Sequence, residues 1–177
     1  MRLDGLADAN LLNQAMVDVR ASMRNGDAEA ADVLRACEAE LVAARRRFAV
    51  DVEAAVRAAL REHATGTPLV RAGITLTGPG AAPAPQTGPG ADWTIRLQSA
   101  HREAIRRRVL ELANSGKSSA DVIQQVLAEA DASAEIAGQA VVEHAAAIAA
   151  EELKARQFLV STRTAGVLRV RGLGFGK

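Results

Sequence analysis

The sequence predicts a mainly α-helical protein: an elongated bundle of about five helices with one long helix, a small antiparallel β-hairpin and an extended C-terminal arm. Apolar residues recur at helical spacing over most of the 177-residue chain. A central region instead alternates apolar and polar residues, which is the spacing of a strand. Apolar residues make up 49% of the chain, which is enough to bury a core in one ordinary domain or two small ones.

The N-terminal region, residues 1–66, predicts a helical hairpin. A one-faced apolar stripe indicates a first helix over residues 9–24, with Asp8 or Asn10 as its N-cap. A second helix of about 38 residues, over 27–64, would form a rod about 57 Å long at 1.5 Å per residue. Its apolar stripe slips by one residue midway, which changes the face that the helix presents to its neighbours.

Residues 67–98 predict the β-hairpin. Apolar and polar residues alternate over 70–77 and again over 93–98, which indicates two paired strands. The loop between them, residues 78–91, includes most of a repeated sequence, Thr-Gly-Pro-Gly-Ala at 77–81 and again at 87–91. So much Pro and Gly predicts an exposed, mobile loop, which is either a tolerated insertion or a flexible contact arm.

Three further helices are predicted over residues 99–158. The third begins at Ser99, which serves as its cap, and ends at an Asn-Ser-Gly sequence. A short fourth helix follows a capping box that begins at Ser118. A fifth runs from near Ser133 to about Phe158, with an inner face that is largely alanine and therefore buries little area per residue.

Acidic and basic residues are segregated into successive segments in the last third of the chain. Residues 118–153 contain seven carboxylates and no Lys or Arg, whereas residues 154–177 contain six cations and no carboxylate. We predict that residues 159–177 form a basic extended arm, which folds back on its own acidic helices, binds nucleic acid, or docks on the acidic face of another copy. The residues expected to contact a partner are Arg156, Arg163, Arg169, Arg171, Phe175, Lys177, Glu129, Asp131, Glu135 and Glu143.

Residues 102–127 also fit the turn length of a helix-turn-helix, which gives an alternative function, a nucleic-acid-binding regulator that also uses the basic tail. The second helix of that motif would offer Gln124 and Gln125 but no Lys or Arg, which disfavours base and phosphate contacts. The cations expected to contact phosphate in this alternative are Arg102, Arg106, Arg107, Arg108 and Lys117.

The sequence contains few residues in arrangements that are typical of catalytic or metal sites. The single cysteine, Cys37, lies in an apolar stripe and is interpreted as a buried small side chain. None of the three histidines belongs to a metal-binding spacing, and Gly116-Lys117-Ser118 lacks the preceding glycine and strand of a phosphate loop. We therefore expect no catalytic residue, no cofactor and no metal.

These observations favour a non-catalytic assembly subunit whose partners are copies of itself or other subunits of a large complex. No signal peptide or membrane span is predicted, so the expected location is the cytoplasm or an assembled particle. In style, small Ala-rich helical proteins with extended arms resemble the neck, connector and minor head components of tailed-phage virions. That resemblance implies a virion structural role.

Overall fold

A computed structural model describes residues 1–24, 29–66 and 93–171, with side chains as far as Val160. Within these residues it contains four helices and no strand. They are α1 (Ala9–Arg24), α2 (Ala30–Thr65), α3 (Ser99–Asn114) and α4 (Ser119–Arg171). The prediction of a mainly helical bundle with a long second helix is confirmed.

Helices α1 and α2 form where the apolar stripes predict them. The Asp8 carboxylate caps α1 by accepting the Leu11 N–H at 2.9 Å. In α2, buried residues follow one another at steps of three and four, and three consecutive four-residue steps between Ala44 and Val56 produce the slip that the sequence predicts. Gly66 ends α2 at φ +61°, a conformation that favours glycine.

Helix α4 replaces the two separate helices predicted over residues 118–158. Its start is as expected, because the Ser118 hydroxyl oxygen accepts the Asp121 N–H at 3.2 Å. The predicted break before Ser133 is wrong. The intervening residues 128–132 contain only Ala, Glu and Asp, and the Ser133 hydroxyl donates back to the Glu129 carbonyl at 3.2 Å. Nothing there interrupts the helical hydrogen bonds, so α4 continues for 53 residues.

The two long helices, α2 and α4, form the centre of the bundle. They run antiparallel, because Phe48 lies near Leu127 whereas Leu41, earlier in α2, lies near Gly138, later in α4. Helix α1 packs against both, and so does α3, while α1 and α3 do not touch each other. The resulting core includes the Ala side chains of α4 as well as larger groups of the other helices.

The N-terminal segment before α1 is packed into this core through Leu3 and Leu6, which are buried. The Leu3 N–H donates to the Ser133 hydroxyl at 3.1 Å. Buried His101 joins the segment to the start of α3: its Nε2 lies 2.7 Å from the Asp4 carbonyl, and its Nδ1 accepts the Gln98 N–H at 3.2 Å. A carbonyl only accepts, so these partners require a neutral imidazole protonated on Nε2.

Residues 93–98 form neither helix nor strand, so the structure gives no support to the second strand of the predicted hairpin. The first predicted strand and the loop at 78–91 lie outside the described residues. The alternation itself is real, because Trp93 and Ile95 are buried while Thr94 and Arg96 are exposed. These side chains enter the helical core, and the Trp93 carbonyl accepts from Arg47 Nη2 at 2.6 Å. The α3 cap is likewise Gln98 and not Ser99.

The predicted extended arm is also wrong as far as Arg171, because α4 continues to that residue. Adding residues to an existing helix costs far less than nucleating a new one, and no proline stops α4. Arg156, Arg163, Arg169 and Arg171 therefore belong to α4. Phe175 and Lys177 lie outside the described residues.

Replacing Gly138 with alanine is expected to raise the free energy of unfolding by about 0.5–1 kcal/mol. Gly138 lies inside α4, where a Cβ would meet only Leu41 Cδ1 at 4.0 Å, an ordinary contact distance. The matched control is Gly116→Ala. Gly116 has a φ of +82°, which an alanine adopts only with strain, so this substitution should lower the free energy of unfolding by about 1 kcal/mol. Urea unfolding followed by Trp93 fluorescence measures both, and a change of the same sign in both variants would contradict the prediction.

Candidate interaction site

The acidic part of α4 is largely neutralised within the chain, beginning with Glu129. The Arg108 guanidinium donates to Glu129 at 2.8 Å and to Glu111 at 3.0 Å. Gln125 Nε2 donates to the same Glu129 carboxylate at 2.9 Å, and the Met1 ammonium is a further partner. Glu129, expected from the sequence to contact another molecule, is therefore occupied by groups of its own chain.

The surroundings of Glu129 set its ionisation. Hydrogen bonds from Arg108, the Met1 ammonium and Gln125 lower the pKa of Glu129 from 4.5 to about 2, although partial burial acts in the opposite direction. The same pairing raises the pKa of Arg108. Glu129 and Arg108 are therefore both charged at neutral pH, and their pairing joins α3 to α4.

Other carboxylates of α4 divide into paired and unpaired groups. Arg45 of α2 binds Asp131 at 2.9 Å and lies 3.8 Å from Glu135. Arg20 and Arg24 of α1 lie 3.5 and 3.7 Å from Glu152. Among the residues that the structure describes, the exposed Glu143 and Glu151 have no Lys or Arg within ion-pair distance.

Beyond these contacts α4 continues as a C-terminal extension, residues 153–171, about 28 Å long at 1.5 Å per residue. The last buried side chain described in α4 is Ala149. In the extension, as far as its side chains are described, only Arg156 is half-buried and the others are exposed. Four of the exposed side chains are large and apolar: Leu153 (39% exposed), Phe158 (68%), Leu159 (62%) and Val160 (66%).

An apolar groove lies between α2 and α4, here termed the α2–α4 groove. It consists of two adjoining cavities of about 270 and 220 Å³ that share Ala49 and Asp131. Val42 on its edge is 48% exposed. The groove is lined by Val42, Arg45, Arg46, Phe48, Ala49 and Val52 of α2 and by Leu127, Ala128, Ala130 and Asp131 of α4.

The cations of the nucleic-acid alternative are only partly available. Arg106 binds Glu62 at 2.9 Å and lies 3.7 Å from Glu103, and Arg108 belongs to the Glu129 network. Lys117 donates to Gln125 at 2.6 Å. Arg102 and Arg107 are exposed but are five positions apart, so they lie on different faces of α3. The structure thus brings no more than two of these five cations to the surface without a hydrogen-bond partner.

The one thiol of the chain, that of Cys37, packs in the core. Cys37 is buried, and that burial raises the pKa of its thiol to about 11. Across residues 1–24, 29–66 and 93–171, no three His, Cys, Asp or Glu side chains gather in a way that would hold a metal ion. No helix in the same part of the chain combines the length and hydropathy needed to cross a membrane.

Comparison of the chain with protein families, with curated proteins and with solved structures yields no match. The site is therefore interpreted from its own residues. Sequence reasoning missed the α2–α4 groove and the exposed apolar residues Leu153, Phe158, Leu159 and Val160. The run Phe158-Leu159-Val160 is a usable signal, because consecutive apolar residues point to different sides of a helix and are not all buried by one neighbour.

Proposed function

We propose that this protein is a non-catalytic assembly subunit that associates with further copies of itself through the C-terminal extension. The observation that carries the proposal is the exposure of Leu153, Phe158, Leu159 and Val160 on a helix that continues past the bundle. Helices in proteins are stabilised mainly by packing of an apolar face, so a helix that shows apolar side chains to water gains stability by association.

Charge supports another copy of the chain as the partner. The extension carries Lys154 and Arg156, and residues 154–177 contain no carboxylate. The preceding part of α4 carries exposed Glu143 and Glu151 without Lys or Arg partners among the described residues. One copy therefore offers both signs, on different segments of the same helix. The finer assignment, to a tailed-phage neck, connector or minor head component, is supported by the resemblance in style alone.

Sedimentation equilibrium of the full chain tests the proposal. The average mass is expected to rise above that of one chain with increasing protein concentration. Val160→Asp should weaken this association at least about tenfold, because it places a charge in the contact. Val50→Asp on α2 is the matched control, since Val50 is 67% exposed and Val160 66%.

A mass of one chain at every concentration would refute the proposal, and so would equal effects of the two valine substitutions. Titration of a labelled DNA duplex at low salt completes the test. A chain that stays monomeric and binds the duplex, with loss of binding at higher salt, would instead support the nucleic-acid-binding regulator.

A further inference from the structure

Resting on the proposed self-association, we propose that the C-terminal extension of one copy docks as a helix in the α2–α4 groove of the next copy. The groove is apolar along its floor, through Phe48, Ala49, Val52, Leu127 and Ala130. A groove between two helices is a common receptor for a third helix that presents apolar residues on one face.

The shapes of the two surfaces match. Small side chains at Ala49 and Ala128 leave a cavity of about 270 Å³ between α2 and α4. On the extension, Leu153 and Val160 are both exposed and are seven positions apart, so they lie on one face, and this face is the one that enters the groove. Val42, on the edge of the groove, gives the docked helix a further apolar contact.

Charge favours the α4 side of the groove for Arg156 of the extension. On that side, Asp131 and Glu135 are well exposed and share Arg45, so the side keeps an excess of one negative charge. Arg156 lies four positions before Val160, beside the face that enters the groove, and among the described residues it has no carboxylate partner, so it would complete that pairing. Arg46, on the α2 side, disfavours the opposite orientation.

Docking takes place between copies because α4 is one continuous helix. Leu127 in the groove and Phe158 in the extension are separated by about 46 Å along that helix at 1.5 Å per residue. A helix does not fold back on itself, so the extension does not reach the groove of its own chain. The contact joins two different surfaces of the chain, and such a heterologous contact either closes into a ring, of two copies or more, or grows into a filament.

Cross-linking between singly substituted full-length chains tests this arrangement. Ala128→Cys and Val160→Cys proteins are mixed and treated with a short bismaleimide. A covalent dimer containing one of each chain is expected, whereas neither variant alone should give one. Ala54→Cys is the matched control for Ala128→Cys, because Ala54 is an exposed alanine on the side of α2 away from the groove. Ala54→Cys should give at least about tenfold less product with Val160→Cys, because a specific contact brings Val160 close to Ala128 and not to Ala54.

The unsubstituted chain is the negative control and should give no cross-linked product, because its one cysteine, Cys37, is buried. Cross-linking of Val160→Cys to itself, without a mixed product, would show that two extensions pair with each other. It would overturn the groove as the docking site while leaving self-association intact. Equal yields with Ala54→Cys and Ala128→Cys would also overturn it. If sedimentation gives the mass of one chain at every concentration, by contrast, the proposed function itself is refuted.

Discussion

Replacing Trp93 with alanine is expected to lower the free energy of unfolding by about 3–5 kcal/mol, the largest stability effect predicted for this chain. The Trp93 side chain is 1% exposed and is the largest fully buried side chain described. Its indole N–H donates to Asp18 Oδ2 at 2.6 Å, and its carbonyl accepts from Arg47. It thereby attaches the start of the extended segment 93–98 to both α1 and α2.

Urea unfolding followed by circular dichroism measures the change, because Trp93 is the only tryptophan and its fluorescence is lost in the variant. Trp93→Phe separates packing from hydrogen bonding. It keeps most of the buried volume and loses the donor to Asp18, so it should cost about 1–2 kcal/mol. An alanine variant within about 1 kcal/mol of the parent would mean that this segment is not part of the stable core.

Replacing Glu129 with glutamine is expected to lower the free energy of unfolding by about 2 kcal/mol at neutral pH, because Arg108 then loses its carboxylate partner between α3 and α4. Both side chains are mostly covered, at 19% exposure for Glu129 and 29% for Arg108. The matched control is Glu53→Gln, which removes an exposed pair with Arg57 one helical turn away. It should cost less than about 0.5 kcal/mol.

The pH dependence gives a second readout of Glu129. Its pKa is about 2 in the folded chain and lies below the ordinary value of 4.5, so the folded state favours the charged carboxylate. The stability that it contributes is therefore complete above about pH 4.5 and is lost progressively as the pH falls towards 2. The difference between the parent and Glu129→Gln should shrink over that interval. A difference that stays constant down to the acid limit would contradict the prediction.

The helices were predictable where apolar residues of ordinary size mark one face. Helix α1 has the predicted bounds, and α3 begins within one residue of the predicted start and ends where the sequence indicates. Continuity of α4 was missed because its buried residues near the predicted break are Ala130 and Ala134, which are small and so leave little signal in an apolar pattern. Alternation at 93–98 predicted which residues are buried, but not that helices would cover them.

The site was less predictable than the helices, because it depends on contacts between distant parts of the chain. The segregation of charge into residues 118–153 and 154–177 was visible at once. That Arg108 and Arg45 would occupy Glu129 and Asp131 was not, since those partners are 21 and 86 positions apart. The α2–α4 groove also requires two helices to be placed side by side, which no local pattern specifies.

The unbroken path of α4 from the core to the extension fixes the direction in which the exposed apolar residues point. Each residue of an α-helix turns the chain by about 100° and advances it by 1.5 Å. Gain or loss of a single residue between Ala149 and Leu153 would swing Phe158 and Val160 to another side of the rod. An insertion or deletion of about seven residues, which is two full turns, would leave these side chains on the same side of the helix. Related chains of different length should therefore differ at this junction by about seven residues or a multiple of seven.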